Sequence, residues 1–138
     1  MIRFNGDFIH IVGDIVKISD NPGRVTIQAS KDDCRRLREY VEPFYKGTDP
    51  KFRPGWLDGN KNTLTFTSRF PIPIKIEGYE IKGIGLLLDK YGILRDSRVV
   101  CTIHLKGTED KMGCYLKGIE FVTVNSVNIE DFFKEDNA

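Results

Sequence analysis

The chain has 138 residues, of which 40% are hydrophobic and 30% charged, with a net charge of +1. That composition excludes collagen-like, disordered and membrane-embedded classes, and the length suits one core that buries about two thirds of the unfolded chain's surface. The net charge hides a split: residues 129–138 carry −3, from Glu130, Asp131, Glu135 and Asp136 against Lys134, while residues 1–128 carry 20 basic and 16 acidic groups. A mildly basic body is thus joined to an acidic end, able to compete in cis for whatever anion the body attracts.

Three cysteines, Cys34, Cys101 and Cys114, without paired short spacing argue against a disulfide framework and for a reducing cytoplasm. The opening MIRFNGDFIHIVGD is broken by Asp7, His10 and Asp14 before a signal-peptide core forms, and no run reaches the ~20 apolar residues of a membrane span.

In chain order, FIHIVGDIVKIS (8–19) predicts two strand halves around a bulge or bend at Gly13-Asp14, and DNPGR (20–24) a turn. RVTIQAS (24–30) alternates as a half-buried strand, with Val25, Ile27 and Ala29 on one face. Ser30 and Asp33 form a helix-start signature, and Cys34, Leu37, Val41 and Phe44 fall at helical spacing until Pro43 and Gly47 limit the helix to roughly three turns. Its other face carries Lys31, Arg35, Arg36 and Arg38, a solvated surface or a phosphate-contacting one.

GTDPKFRPGWLDGNK (47–61) reads as a loop in which Phe52 and Trp56 interleave with Lys51 and Arg53. NTLTFTSRF (62–70) restores period-two alternation, with Leu64, Phe66, Ser68 and Phe70 on the core face. PIPIKIEGYEIKG continues extended, Pro71 and Pro73 marking an edge or bend. IGLLLDKYG (84–92) fits a short helix or a buried strand equally. RVVCTIHLK (98–106) and CYLKGIEFVTV (114–124) form a hairpin across GTEDKMG. The sum is about six strands, one helix and a flexible tail: mainly β, a small antiparallel barrel or α+β arrangement on one core. Residues 1–126 make one domain and 127–138 an acidic tail.

Metal binding fails on spacing. Cys101 and His104 are three apart on a strand and face opposite ways, so they share neither an ion with Cys114 nor a proton as a nucleophile pair. Glu80-Ile81-Lys82 with Asp58 upstream has the form of a Mg²⁺-dependent nuclease site, an alternative carried forward. No glycine-rich phosphate loop precedes a helix. No cofactor is called for. The strongest chemical pattern is aromatic rings alternating with cations, the means by which unpaired strands are held: rings stack on bases and cations track phosphates. The candidate contacts are Lys51, Phe52, Arg53, Trp56, Arg69, Lys82, Tyr91, Arg98, Tyr115 and Lys117, with Phe66 and Phe70 assigned to the core.

From about residue 50 onward, RPGWLDGN, the strand ending in FTSRF, the run YGILRDSRVVCTIHLKG and the closing GCYLKGIEFVTVNSV resemble the single-stranded DNA-binding proteins of bacteriophages, although Asp96 stands where that family has a glycine. The resemblance implies an OB-fold-like barrel with one short helix and no enzymatic activity. It also implies a groove that coats single-stranded DNA without sequence specificity during replication or recombination, a homo-oligomer, and a host cytoplasm. Finally, it implies a tail that recruits replication or recombination proteins, with Phe132 and Phe133 as anchor and Glu130 and Asp131 as solubilising charge. A third reading is a β-rich virion or interaction module with no affinity for nucleic acid.

Overall fold

A computed structural model describes residues 1–20, 23–68, 70–71, 73–76, 79–82, 97–108 and 111–123, with the backbone alone at 20, 79–82 and 123. Eight strands and one helix are present among them: β1 (Ile2–Asn5), β2 (Phe8–Asp20), β3 (Gly23–Gln28), α1 (Lys31–Val41), β4 (Thr63–Ser68), β5 (Pro73–Ile76), β6 (Tyr79–Lys82), β7 (Arg98–Gly107) and β8 (Met112–Thr123). Single 3-10 turns follow at Glu42–Tyr45 and Pro50–Phe52.

Five strands close a hydrogen-bonded ring. β2 pairs antiparallel with β3, β3 with β4, β8 with β7 and β7 with β2; the last seam, β4 against β8, is parallel and registers Thr67 opposite Tyr115. This connectivity is OB-like, and closure leaves only β1 and β6 as edges of the strand path. Beyond the ring, β1 extends β2 as a hairpin, while β5 joins the far end of β8 in parallel and carries β6.

Period-two alternation decides what lies inside. Val25 and Ile27 of β3, Leu64 and Phe66 of β4, Val99, Cys101, Ile103 and Leu105 of β7, and Leu116 and Ile119 of β8 are buried, together with Ile9, Ile11, Ile15 and Ile18 from β2. The helix adds Cys34, Leu37 and Val41 to the same core. It starts as the sequence requires: the Ser30 hydroxyl accepts from the Asp33 amide at 3.1 Å.

Three features differ from expectation. The strand β2 runs unbroken through Gly13-Asp14, and its irregularity lies at Val16, between the pairs of Ile15 and Lys17. Gly13 serves a different need: a Cβ there would come 2.8 Å from Ile27 Cδ1 and 2.9 Å from the Gln28 carbonyl, so glycine lets β2 press against β3. The β1–β2 hairpin turns at Gly6-Asp7, with Gly6 at φ 60°. Stacking of Phe4 on Tyr40 (4.1 Å) and donation from the Tyr40 hydroxyl to the Gly6 carbonyl (2.8 Å) tie this hairpin to α1. The predicted extended run after Pro71 is the β5–β6 pair, entered at Pro73, the first position of a strand, where no ladder donor is lost. The ambiguous stretch 84–92 lies outside the described residues.

Replacing Ser30 with Ala is expected to lower unfolding stability by about 1 kcal/mol, from loss of the N-cap bond. Urea unfolding should show a reduced midpoint with an unchanged slope.

Candidate nucleic-acid interface

The same alternation that fills the ring presents Arg24 and the threonines Thr63, Thr65 and Thr67 outward from β3 and β4, with Thr26 Oγ1 and Thr65 Oγ1 2.9 Å apart. Over this face folds the segment 47–61, which is packed rather than open. Arg38 of α1 donates its Nε to the Trp56 carbonyl (2.8 Å) and its Nη2 to the Lys61 carbonyl (2.6 Å), so one guanidinium pins both ends of the turn. Arg53 donates to both oxygens of Asp58 (2.7 and 3.0 Å) and to Glu42 (2.6 Å). Leu57 and Trp56 enter the core. Between segment and strands lies a cleft of about 650 Å³ whose lining includes Arg24, Arg38, Tyr45, Phe52, Trp56, Lys61 and the three threonines.

Across the parallel seam a second cleft of about 600 Å³ is lined by Phe70, Tyr115, Lys106, Lys111, Lys117 and neighbouring backbone. Among the described residues, no carboxylate lines either of these clefts. A third, beside residues 47–52, shares Phe52 with the first and Lys111 with the second; a fourth shares Pro73 and Lys117 with the second and adds Lys75 and Glu120. Each cleft thus shares a wall residue with another. Among the described residues, Arg24, Lys61, Lys106, Lys111 and Lys117 make no ion pair.

Two rings line the second cleft. Phe70 is 75% exposed. Tyr115 is half-buried and lies over Gly113, where a Cβ would come 2.5 Å from three atoms of the phenol. Glycine at 113 therefore sets the seat of the ring. Lys51 sits 5.2 Å from the centroid of Phe52, a cation–π contact in the lining of the third cleft.

The sequence-predicted contacts divide accordingly. Lys51, Phe52, Tyr115 and Lys117 line the linked clefts. Trp56 is corrected from an open stacking ring to a core ring: it is 8% exposed and packs edge-to-face on Phe66 at 5.8 Å, leaving only a rim on the first cleft. Arg53 gives three of its five donors to Asp58 and Glu42, ties the segment internally and lines none of the four clefts. Arg98 is exposed but pairs with Asp14 at 3.3 Å across the β2–β7 ladder and lines none of the four clefts. Lys82 has its backbone opposite Pro73, with its side chain outside the description. Arg69, Tyr91 and the tail residues Glu130, Asp131, Phe132 and Phe133 lie outside the described residues.

Phe70 is corrected in the opposite sense, from core to surface. The strand β4 ends at Ser68, so the alternation that buries Leu64 and Phe66 does not carry to it. Lys106 and Lys111 were not singled out by sequence; the signal available was their position at the ends of the β7–β8 hairpin, whose pairing brings them beside Tyr115 and Lys117.

The nuclease alternative loses a member. Asp58 is held by Arg53, whose hydrogen bond depresses the carboxyl pKa below its ordinary value of 3.8, while the side chains of Glu80 and Lys82 lie outside the description. Cys101 is buried and His104 stacks on Phe8 at 4.2 Å, so this pair is separated as its spacing required. Burial pushes the Cys101 and Cys114 thiols up to about 12, which keeps both protonated and unreactive at neutral pH. Among the described residues no three His, Cys, Asp or Glu side chains gather as a metal site, and no helix is long and apolar enough to cross a membrane.

Because the folded pKa of Asp58 is lowered, its contribution to holding the 47–61 segment is present above about pH 4 and is lost as pH falls through the depressed value. Emission from Trp56, which sits in that segment, should stay constant from pH 7 to about 4 and shift below it. Asp58→Asn should give the shifted emission already at pH 7; an unshifted spectrum in that variant would remove the pair from the account.

No protein-family model and no curated protein matches the sequence. Among solved structures, the chain is similar to the single-stranded DNA-binding protein from bacteriophage Enc34, with a TM-score of 0.57 and 10% identity over 94% of this chain and 91% of that one. A likeness of this kind shows a shared fold across nearly the whole of both chains, and the ring of five strands with one helix among the described residues is consistent with an OB-like architecture.

Proposed function

We propose that the protein binds single-stranded DNA along the linked clefts, without enzymatic turnover, and coats it during phage replication or recombination. The observation that carries this reading is at the β4–β8 seam: Lys106, Lys111 and Lys117, which make no ion pair among the described residues, share the second cleft with two accessible rings, Phe70 and Tyr115, and among the described residues no carboxylate lines the first or the second cleft. Rings give sequence-tolerant stacking worth roughly 1 to 3 kcal/mol per base, and lysines track the phosphates. The fold held in common with a protein described as binding single-stranded DNA supports the same ligand.

In this reading residues 1–126 form the binding domain, working as a homo-oligomer in the host cytoplasm. Residues 127–138 form a tail that competes with DNA for the groove and offers Phe132 and Phe133, among Glu130 and Asp131, to replication or recombination proteins. Arg69 and Tyr91 remain proposed contacts, as does Lys82.

Binding to oligo(dT) should weaken as salt rises, with a log–log slope of about −0.7 per phosphate neutralised. Lys111→Ala is expected to reduce that slope by about 0.7, and Arg98→Ala to leave it unchanged. Phe70→Ala should cost about tenfold or more in affinity at fixed salt, the loss of one stacking platform. Absence of a salt-dependent complex would instead favour the interaction-module reading. Removing residues 127–138 should tighten binding modestly at low salt and not at high salt, where the tail's attraction is screened.

A further inference from the structure

Phe8 is 40% exposed at the start of β2 and lines none of the four clefts. A single exposed ring on a sheet needs no explanation, but its register does. Phe8 pairs across the ladder with His104 of β7, and His104 with Tyr115 of β8, so three rings stand in one row on the solvent side of neighbouring strands. Phe8 and His104 are stacked, with planes only 3° from parallel. That contact fixes the exposed ring, so a ligand that stacks on it loses little to ordering it. The adjoining row holds Arg3, His10, Thr102 and Gly118, with His10 Nδ1 and Thr102 Oγ1 3.1 Å apart. Arg3 is exposed and, among the described residues, makes no ion pair. The fourth cleft reaches this row, since Thr102 and Gly118 line it together with Lys117, which also lines the second. Rings and cations therefore continue from Tyr115 and Lys117 across β7 to β2 and β1. Two carboxylates border the area: Glu120, opposite Lys75 in the β5–β8 register, and Asp7, in the turn before Phe8.

We propose that bound single-stranded DNA leaves the second cleft by way of the fourth, crosses β8 at Gly118 and ends on this outer face, where Phe8 receives a base and Arg3 a phosphate. The inference rests on the single-stranded DNA reading above and adds a second face to it, so that one domain occludes more nucleotides than the clefts alone hold. The chemistry suits this occupant. A ring held in place offers stacking to any base, and Arg3 supplies the charge a phosphate needs. Gly118 leaves the crossing without a side chain. From β8 through β7 and β2 to β1 there are three strand spacings of about 4.8 Å. At a stacked rise of ~3.4 Å per nucleotide, the extension takes at most about four nucleotides.

The test titrates the full chain with labelled oligo(dT) of rising length, from about 4 to about 24 nucleotides, a range that spans what one OB fold occludes. Anisotropy is read at fixed salt and pH. Wild type and Phe8→Leu, which keeps an apolar side chain against His104 but removes the aromatic face, should bind the shortest oligonucleotides alike. Above the length that fills the clefts, Phe8→Leu should fall behind by about fivefold or more, the loss of one stacked base. Arg3→Ala should follow the same length dependence, its log–log salt slope smaller by about 0.7 for the long oligonucleotides only. Phe70→Ala, in the second cleft, should weaken short and long alike. Equal affinities for wild type and both outer-face variants at every length overturn the extension and leave the groove standing. A loss in Phe8→Leu that is already complete at the shortest length overturns it too, because the ring then acts through the fold or inside the groove. Should Phe8→Leu fail to fold, Arg3→Ala decides alone, its side chain being exposed: an unchanged slope with long oligonucleotides overturns the extension. No complex with any oligonucleotide overturns both the extension and the reading on which it rests.

Discussion

The parallel contact between β4 and β8 is the constraint from which the rest of the surface follows. It converts a meander into a ring and removes two edges that would otherwise be open to another chain. It also creates a gap. The strand β8 spans 12 residues and β4 only six, so the far edge of β8 takes β4 at Tyr115 and then, after an interval, β5 at Ile119–Phe121. Phe70 lies between the end of β4 at Ser68 and the start of β5 at Pro73, outside both strands, and its ring stands in solvent beside the seam.

Charge is distributed by chemistry rather than by amount. Arginines hold the architecture together: Arg35 bridges Asp32 and Glu39 along α1, Arg38 pins two carbonyls of the 47–61 segment, Arg53 joins Asp58 to Glu42, and Arg98 meets Asp14. The first three exploit the planar fork, which satisfies two acceptors at once. Lysines line the clefts, as compact, mobile point charges suited to a ligand whose phosphates need not adopt one fixed geometry. Among the described residues the first two clefts are lined by basic and not by acidic side chains, while Asp49 and Glu120 stand in the third and fourth.

Alternation and capping were enough to read most of the frame. The phase of Val25 and Ile27, of Leu64 and Phe66, and of the β7–β8 hairpin is set by the pleat, and the Ser30 cap by a local hydrogen bond; both are short-range. The Gly6-Asp7 turn between β1 and β2 is equally local. Long-range choices were not legible. Whether Trp56 stacks outward or fills the core depends on Arg38 drawing its carbonyl inward from α1, 18 positions away. Whether Arg53 is free depends on Glu42, in a different turn. The site suffered most, because loop side chains are assigned by tertiary partners that no periodicity encodes.

The shape of the groove bears on which nucleic acid suits it. Its four clefts adjoin in sequence, sharing Phe52, then Lys111, then Pro73 and Lys117, so a ligand occupying all of them must bend from one into the next. An unpaired strand does this easily, whereas a duplex is stiff over ~150 base pairs and keeps its bases stacked on one another. Phe70 and Tyr115 can reach a base face only if that face is free. Phosphate contacts alone would hold either form through the lysines, so discrimination between them falls to the rings. Tyr115 in turn keeps its position through the missing side chain at Gly113. In the proposed reading, a preference for unpaired DNA traces to a glycine and to a strand that ends two residues before Phe70.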